Sequence, residues 1–340
     1  MIFSIISGDY IMSPALCSPE SIEDFVEDLL KIKWTMNNNI RPRIVLEDNI
    51  LFNAQERGLY PCSKVFKENI VKSSDTLIYS SQDIVTLVHS ILENATELSE
   101  FSGINEIILS SEISHEVLSS CATDKRKKEL TNLLTCTVFH SVHTTNNKGA
   151  LLHLLPHRGK LPSNLELEVS LVQVGNDIFE NIKLAYNKDI YGSYDLLLLN
   201  FGSENLLPFV KCDFSLKLAL YVKALELAKD TDGNIDWDSF EIGQHMLNSL
   251  KKNQAMHGEK YSSTVIENIA RVLIGKPKEE VKIFTKNTSD NQPRTHNTFT
   301  AYRTHITKGS LGLRLMFGKD SHNFIRLTNI GVKHELEILW

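Results

Sequence analysis

A mixed α/β fold is what this 340-residue sequence predicts: an N-terminal α/β sheet region, a helical middle and a C-terminal four-stranded antiparallel β module. Three observations predict it. Short apolar runs alternate with helix-period segments over residues 1–160, the mark of a layered α/β architecture. Apolar residues then recur at helical spacing through residues 213–229, 238–251 and 263–274. Beyond residue 298 the period switches to two, and the runs are separated by connections short enough for a hairpin meander.

The elements follow in order. Residues 2–7 form an apolar run that reads as a buried first strand, since no basic segment precedes it and Asp9 interrupts it. Ser18-Pro19-Glu20 supplies an N-cap with proline at the first helical position, and Ile22, Phe25, Val26, Leu29 and Leu30 follow on one face, giving a helix to about Met36. Strands are expected at 44–46 and 77–79. Ser80 to Asp83 starts an amphipathic helix through Leu92, and 104–109 reads as a further strand. A short helix at 114–120 and a longer one at 124–134 come next, the latter with Lys125, Arg126, Lys127 and Lys128 on a solvated face. If residues 137–143 form a strand, His140 and His143 fall on its opposite faces, which argues against a shared metal. The alternation of 165–174 predicts a strand, 177–186 a helix and 194–199 a buried strand. Gly275-Lys276-Pro277 marks a boundary, and the polar stretch 286–297 reads as a linker. Three regions result: 1–160; 161–275, which the sequence leaves open to be continuous with the first; and 276–340.

Composition excludes several classes. At 42% hydrophobic and 23% charged, the chain is an ordinary globular protein. No apolar run approaches the roughly 18 residues of a membrane span, so no membrane partner is expected. Five cysteines at wide spacings, with no C-x-x-C pair, fit reduced thiols in the cytoplasm better than a disulfide framework or a zinc site. The glycine-rich nucleotide loops, the G-x-S-x-G elbow and H-E-x-x-H are absent. Asp230 to Asp238 resembles a calcium loop only in part, because Ala228 and Ser239 stand where acidic ligands are required. His140, His143, His153 and His157 are read as satisfied surface histidines, and Pro156-His157-Arg158-Gly159 as an exposed loop.

The functional signal lies in charge. Residues 276–340 carry eleven Lys/Arg against six Asp/Glu, so this segment is +5 and the remainder −11 in a chain of net −6. Such asymmetry points to an anionic partner, nucleic acid above all. With strands at 298–307, 311–317, 323–328 and 334–339, alternation places Arg303, His305, Arg314 and Arg326 on one sheet face. Guanidinium groups bind phosphates bidentately and stay charged. The expected contacts are therefore Arg303, Arg314 and Arg326, with Arg294, Lys308, Lys319 and Lys333 around them. The competing arrangement is a ladder of these arginines with Glu335 and Glu337.

This basic sheet, over about 40 residues, resembles in charge and topology the RNA-cleaving toxins of the RelE type. That resemblance implies metal-free cleavage of RNA with His305 as catalytic acid or base. The acids placed after the N-terminal strands (Asp9, Glu47, Asp48, Asp83, Glu112) follow an order similar to PIN-type nucleases. That second resemblance implies Mg²⁺ held by Asp9, Glu47 and Asp83. Otherwise no cofactor is expected. The sequence thus predicts a soluble intracellular protein that binds RNA or DNA, with a nuclease as the first alternative and a non-catalytic subunit of a protein complex as the second. A chain without housekeeping motifs also fits a bacterial antiviral defence system.

Overall fold

The computed structural model describes residues 2–340 except 74–77, 114, 120, 122, 144–147, 288–289, 308–311 and 336. It divides into two compact units, Met1–Leu198 and Leu199–Trp340. The fold class is the mixed α/β arrangement that the sequence predicts. Among the described residues, no helix is long and apolar enough to cross a membrane.

The first unit is built on a seven-stranded sheet. Its strands are β1 (Ile2–Ile6), β2 (Arg43–Leu46), β3 (Thr96–Glu97), β4 (Ile104–Leu109), β5 (Lys148–Leu152), β6 (Lys160–Val174) and β7 (Asp177–Tyr191). They lie in the order β3-β2-β1-β5-β7-β6-β4. From β3 to β7 the pairs are parallel; β6 and β4 add antiparallel strands at one side. Every residue of β1 is buried, as a strand covered on both faces requires. The helix Asp124–His143 packs Leu130, Leu133, Leu134, Val138 and Phe139 against Phe3, Ile5, Leu151, Leu167 and Val169 of the sheet. The helix Ile22–Asn37 buries Ile22, Phe25, Val26, Leu29 and Ile32, the stripe that its spacing prescribes.

Three expectations in this unit are corrected. Residues 177–186 form not a helix but β7, the second arm of a long hairpin with β6 in which Val174 faces Asp177. Gly175, at φ +58°, makes the two-residue Gly-Asn turn. Residues 194–199 lie in the helix Tyr194–Phe201 instead of a strand, an ambiguity that an apolar run without periodicity leaves open. Residues 137–143 continue the preceding helix because Val138 and Phe139 stay on its packed face. Ile78 and Tyr79 are not in a strand, and Leu77 lies outside the described residues.

The second unit combines the helices Asp213–Thr231, Met246–Lys252 and Ser262–Leu273 with the C-terminal sheet. Its strands are β8 (Phe240–Ile242), β9 (Lys282–Ile283), β10 (Thr285–Asn287), β11 (Asp290–Pro293), β12 (Thr295–His296), β13 (Phe299–His305), β14 (Arg314–Lys319) and β15 (Ile325–Gly331). The sheet order is β12-β13-β14-β15-β8, with β9 also pairing β13, while β10 and β11 form a separate hairpin. The meander β13-β14-β15 is antiparallel, as expected. Its last turn is fixed by Asp320, whose Oδ1 accepts from the backbone N–H of His322 and Phe324 at 2.9 and 2.8 Å.

The fourth strand is not the expected 334–339. The free edge of β15 is taken by β8, which runs parallel to it and interrupts the helix expected over 238–251. The C-terminal segment does not pair with β15 and instead packs Ile338 and Trp340 against Phe284, Ala301 and Met316 on the sheet face. Asn329 fastens it: Nδ2 donates to the Glu337 carbonyl at 3.2 Å, and Oδ1 accepts from the Leu339 N–H at 3.0 Å.

Candidate functional site

Register decides which side chains share a face of the C-terminal sheet. Ala301 opposes Gly318, Arg303 opposes Met316, and His305 opposes Arg314. Across the next pair, Gly318 opposes Arg326 and Arg314 opposes Gly331. Directly opposed residues point to the same side, so Arg303, His305, Arg314 and Arg326 do share one face. An apolar patch of Phe284, Ala301, Met316 and Ile338, with Trp340 against it, occupies the middle of that face.

The cations divide into two groups around this patch. Arg294 and Arg303 both lie over the Phe284 ring, at 4.5 and 5.0 Å from its centroid. Arg314 donates through Nη1 to the Lys333 carbonyl at 3.3 Å, while its Nε is buried without a hydrogen-bond partner among the described residues. Partial burial, then the charges of Arg314 and Arg294, holds Arg303 below its usual pKa. Burial, then Arg314, lowers His305, against the opposing pull of Glu279 and with further push from Arg303 and Lys333. Arg294, Arg303, His305, Arg314 and Lys333 thus make one mutually repelling cluster. Neither Arg303 nor Arg314 pairs with a carboxylate among the described residues.

Arg326 belongs to the other group. It forms an ion pair with Glu241 of β8 and sits over Phe299, 4.5 Å from the ring centroid. Lys319 opposes Thr300 and so lies on the opposite side of the sheet. Lys308 is outside the described residues. The expected ladder with Glu335 does not form: Glu335 pairs with Lys252 at 2.5 Å. Phe284, Glu279 and Trp340 are parts of the site that the sequence reading missed.

The second polar concentration lies at the carboxyl ends of β1, β2 and β5. Asp9 and Glu47 do converge, but on a guanidinium. Arg126 donates through Nε to Asp9 at 2.9 Å, through Nη2 to Glu47 at 3.0 Å, through Nη1 to Glu129 at 2.9 Å and again to Glu47. Gly8 N–H donates to Glu47 at 2.6 Å, and Arg57 to Asp9 at 2.6 Å. Burial raises the Asp9 pKa, yet Arg126, His153 and Arg57 outweigh it and leave the carboxyl below its ordinary range. His153 shares a hydrogen bond with the Ser7 hydroxyl at 2.8 Å in the same buried region.

The other acids go elsewhere. Asp83 closes a capping box with Ser80 on the helix Ser81–Asn94. Asp48 accepts from Ser99, and Glu112 is exposed. Among the described residues, no three His, Cys, Asp or Glu side chains are placed to hold a metal ion. Arg126 fills the space between Asp9 and Glu47, so these residues do not fit the Mg²⁺ centre that the order of the acids implies. The expectation of a wholly solvated 125–128 run is corrected too, since Arg126 is buried while Lys125, Lys127 and Lys128 are exposed. Arg158, placed by the sequence in an exposed loop, turns inward to the buried Asp28 at 3.0 Å.

Comparison of the chain with protein-family models, curated proteins and solved structures finds no match.

Proposed function

We propose that this chain binds nucleic acid by its phosphates, on the face of the C-terminal sheet that carries Arg294, Arg303, Arg314 and Lys333. One observation carries the reading: Arg294, Arg303 and Arg314 crowd together beside His305 and Lys333 although the guanidiniums repel one another, and among the described residues neither Arg303 nor Arg314 pairs with a carboxylate. Phosphate oxygens would pair with these guanidiniums and screen the cluster. Two of the expected contacts drop out of the proposal, Arg326 because Glu241 already neutralises it and Lys319 because it faces the other way. The test is equilibrium binding of labelled RNA and DNA oligonucleotides to the full chain and to the Arg303→Ala/Arg314→Ala variant. Loss of binding in the variant is expected; equal binding by the two proteins refutes the reading.

Cleavage of bound RNA is the second reading, favoured by the placement of His305 opposite Arg314. Its lowered pKa leaves the imidazole neutral at pH 7, able to take the proton of a 2′-hydroxyl. The 2′-oxygen then bonds to the adjacent phosphorus, the 5′-oxygen leaves with a proton from solvent, and a cyclic phosphate remains. Arg303 and Arg314 would stabilise the charge that develops on the phosphoryl oxygens. Cleavage that persists in EDTA and disappears in His305→Gln supports this reading; cleavage that His305→Gln retains excludes it.

A further inference from the structure

The same sheet face holds a ring stack beyond the arginines. His296 on β12 opposes Phe299 on β13, so its side chain points to the face that carries Arg303. Its ring stacks on Trp340, with centroids 5.2 Å apart and planes within 17°. Trp340 is seated firmly. Its ring lies over Gly318, where a Cβ would meet it at 2.7 Å, and against Phe299 at 6.4 Å between centroids. His296 itself is exposed. The stack therefore presents one imidazole face to solvent and has the other backed by an indole.

Its distance from the cations matters. A strand rises about 3.3 Å per residue, so Arg303 lies about 13 Å along the sheet from the His296–Phe299 level, and the His305–Arg314 pair about 20 Å. Arg294 lies two residues before His296, its carbonyl bonded to the Ala301 N–H at 2.8 Å. A flat ring platform beside a line of guanidiniums is the combination that binds single-stranded nucleic acid, with a base on the ring and the backbone along the charges. In a duplex the bases are already stacked on one another and cannot reach the platform.

We propose that the exposed face of His296, backed by Trp340, is a base-stacking platform, and that the preferred ligand of this face is single-stranded nucleic acid. The proposal rests on the phosphate-binding reading above and adds the strandedness. The alternative use of the stack is to fasten the C-terminal segment, which needs His296 but no ligand.

The experiment compares the full chain with His296→Ala, His296→Tyr and Arg303→Ala/Arg314→Ala. Each is titrated at fixed salt with a short oligouridylate, the matching oligothymidylate and a mixed-sequence duplex of equal length, and the thermal midpoint of each variant is recorded. The wild type is expected to prefer the single strands. His296→Ala is expected to weaken them by about 5- to 150-fold, the usual effect of losing one base stack, while duplex binding and the thermal midpoint stay unchanged. His296→Tyr, which keeps a ring, is expected to retain binding. The oligouridylate and oligothymidylate titrations separate RNA from DNA as the source of the strand. Equal binding of single strands by wild type and His296→Ala overturns the platform, as does an equal loss for strand and duplex. If the arginine variant loses binding and His296→Ala does not, the phosphate reading stands and only the platform fails. If the wild type binds neither strand nor duplex, both fail.

Discussion

The ring of Trp340 lies so close over Gly318 that a Cβ at residue 318 would approach it to 2.7 Å, with the Phe299 side chain 3.0 Å away on the other side. Glycine is needed here for space and not for backbone freedom, because Gly318 is not among the glycines with positive φ. Gly318→Ala must therefore push the indole off the sheet or shift Phe299. Overpacking of this kind costs about 1–3 kcal/mol. A denaturant titration is expected to show that loss, with a change in tryptophan emission as Trp340 moves toward water. An alanine variant as stable as the wild type would show that the C-terminal segment yields freely.

Arg126 is the guanidinium that Asp9, Glu47 and Glu129 share, with Arg57 pairing Asp9 as well, and it is at least as buried as these acids. Removing it leaves carboxylates buried without their counter-charge, a defect that costs about 3–5 kcal/mol. Arg126→Met is expected to lower the unfolding free energy by that amount. Adding Glu47→Gln and Glu129→Gln should recover much of it, since among the described residues these two carboxylates have no other cation, whereas Asp9 keeps Arg57. Lys125→Ala provides the contrast. Its ion pair with Glu56 is exposed, and pairs of that kind contribute about 0–1 kcal/mol.

Particular residues show where the sequence was legible. The start of the first long helix could be read at Ser18-Pro19, and the faces of β13 and β14 from alternation alone, because local geometry fixes both. The fate of residues 334–339 could not be read. Their alternation is genuine, but pairing depends on which edge is free, and β8, some ninety residues earlier, already occupies the edge of β15. The Gly175-Asn176 turn was legible and outweighed by the apolar spacing of 177–186. At the site, period two correctly placed Arg303, His305 and Arg314 together. It could not show that Arg326 has Glu241 as a partner, since that carboxylate comes from outside the C-terminal module.

His153 gives the first unit a signature in pH. Burial pushes its pKa down to about 4, with Arg126 adding to the push and Asp9 opposing it. In the unfolded chain the ordinary value of about 6.5 returns. Between these values the unfolded state binds the extra proton, so stability is fully present above about pH 6.5 and is lost as pH falls toward 4. The slope approaches 1.4 kcal/mol per pH unit, roughly 3 kcal/mol over the window. His115 and His140 are also lowered by burial, so the reading is the difference between proteins. His153→Gln is expected to flatten the unfolding free energy between pH 4 and 6.5 relative to the wild type. Parallel curves would mean that His153 does not titrate in that range.

On the proposed reading, salt dependence identifies which cations would touch the phosphates. Each phosphate contact releases condensed counterions, so the logarithm of the binding constant falls with the logarithm of salt concentration by about 0.7 per contact on a single strand. Arg303→Ala and Arg314→Ala are each expected to reduce that slope by about 0.7, and together by about 1.4, while weakening RNA and DNA alike. Arg326→Ala should leave the slope unchanged, because its guanidinium already faces Glu241. Lys319→Ala should leave it unchanged as well, because register sends that side chain to the other side of the sheet. The four cations lie within one sheet and carry equal charge, so a merely diffuse electrostatic attraction would change the slope equally in all four variants. A site built on Arg303 and Arg314 divides them two and two.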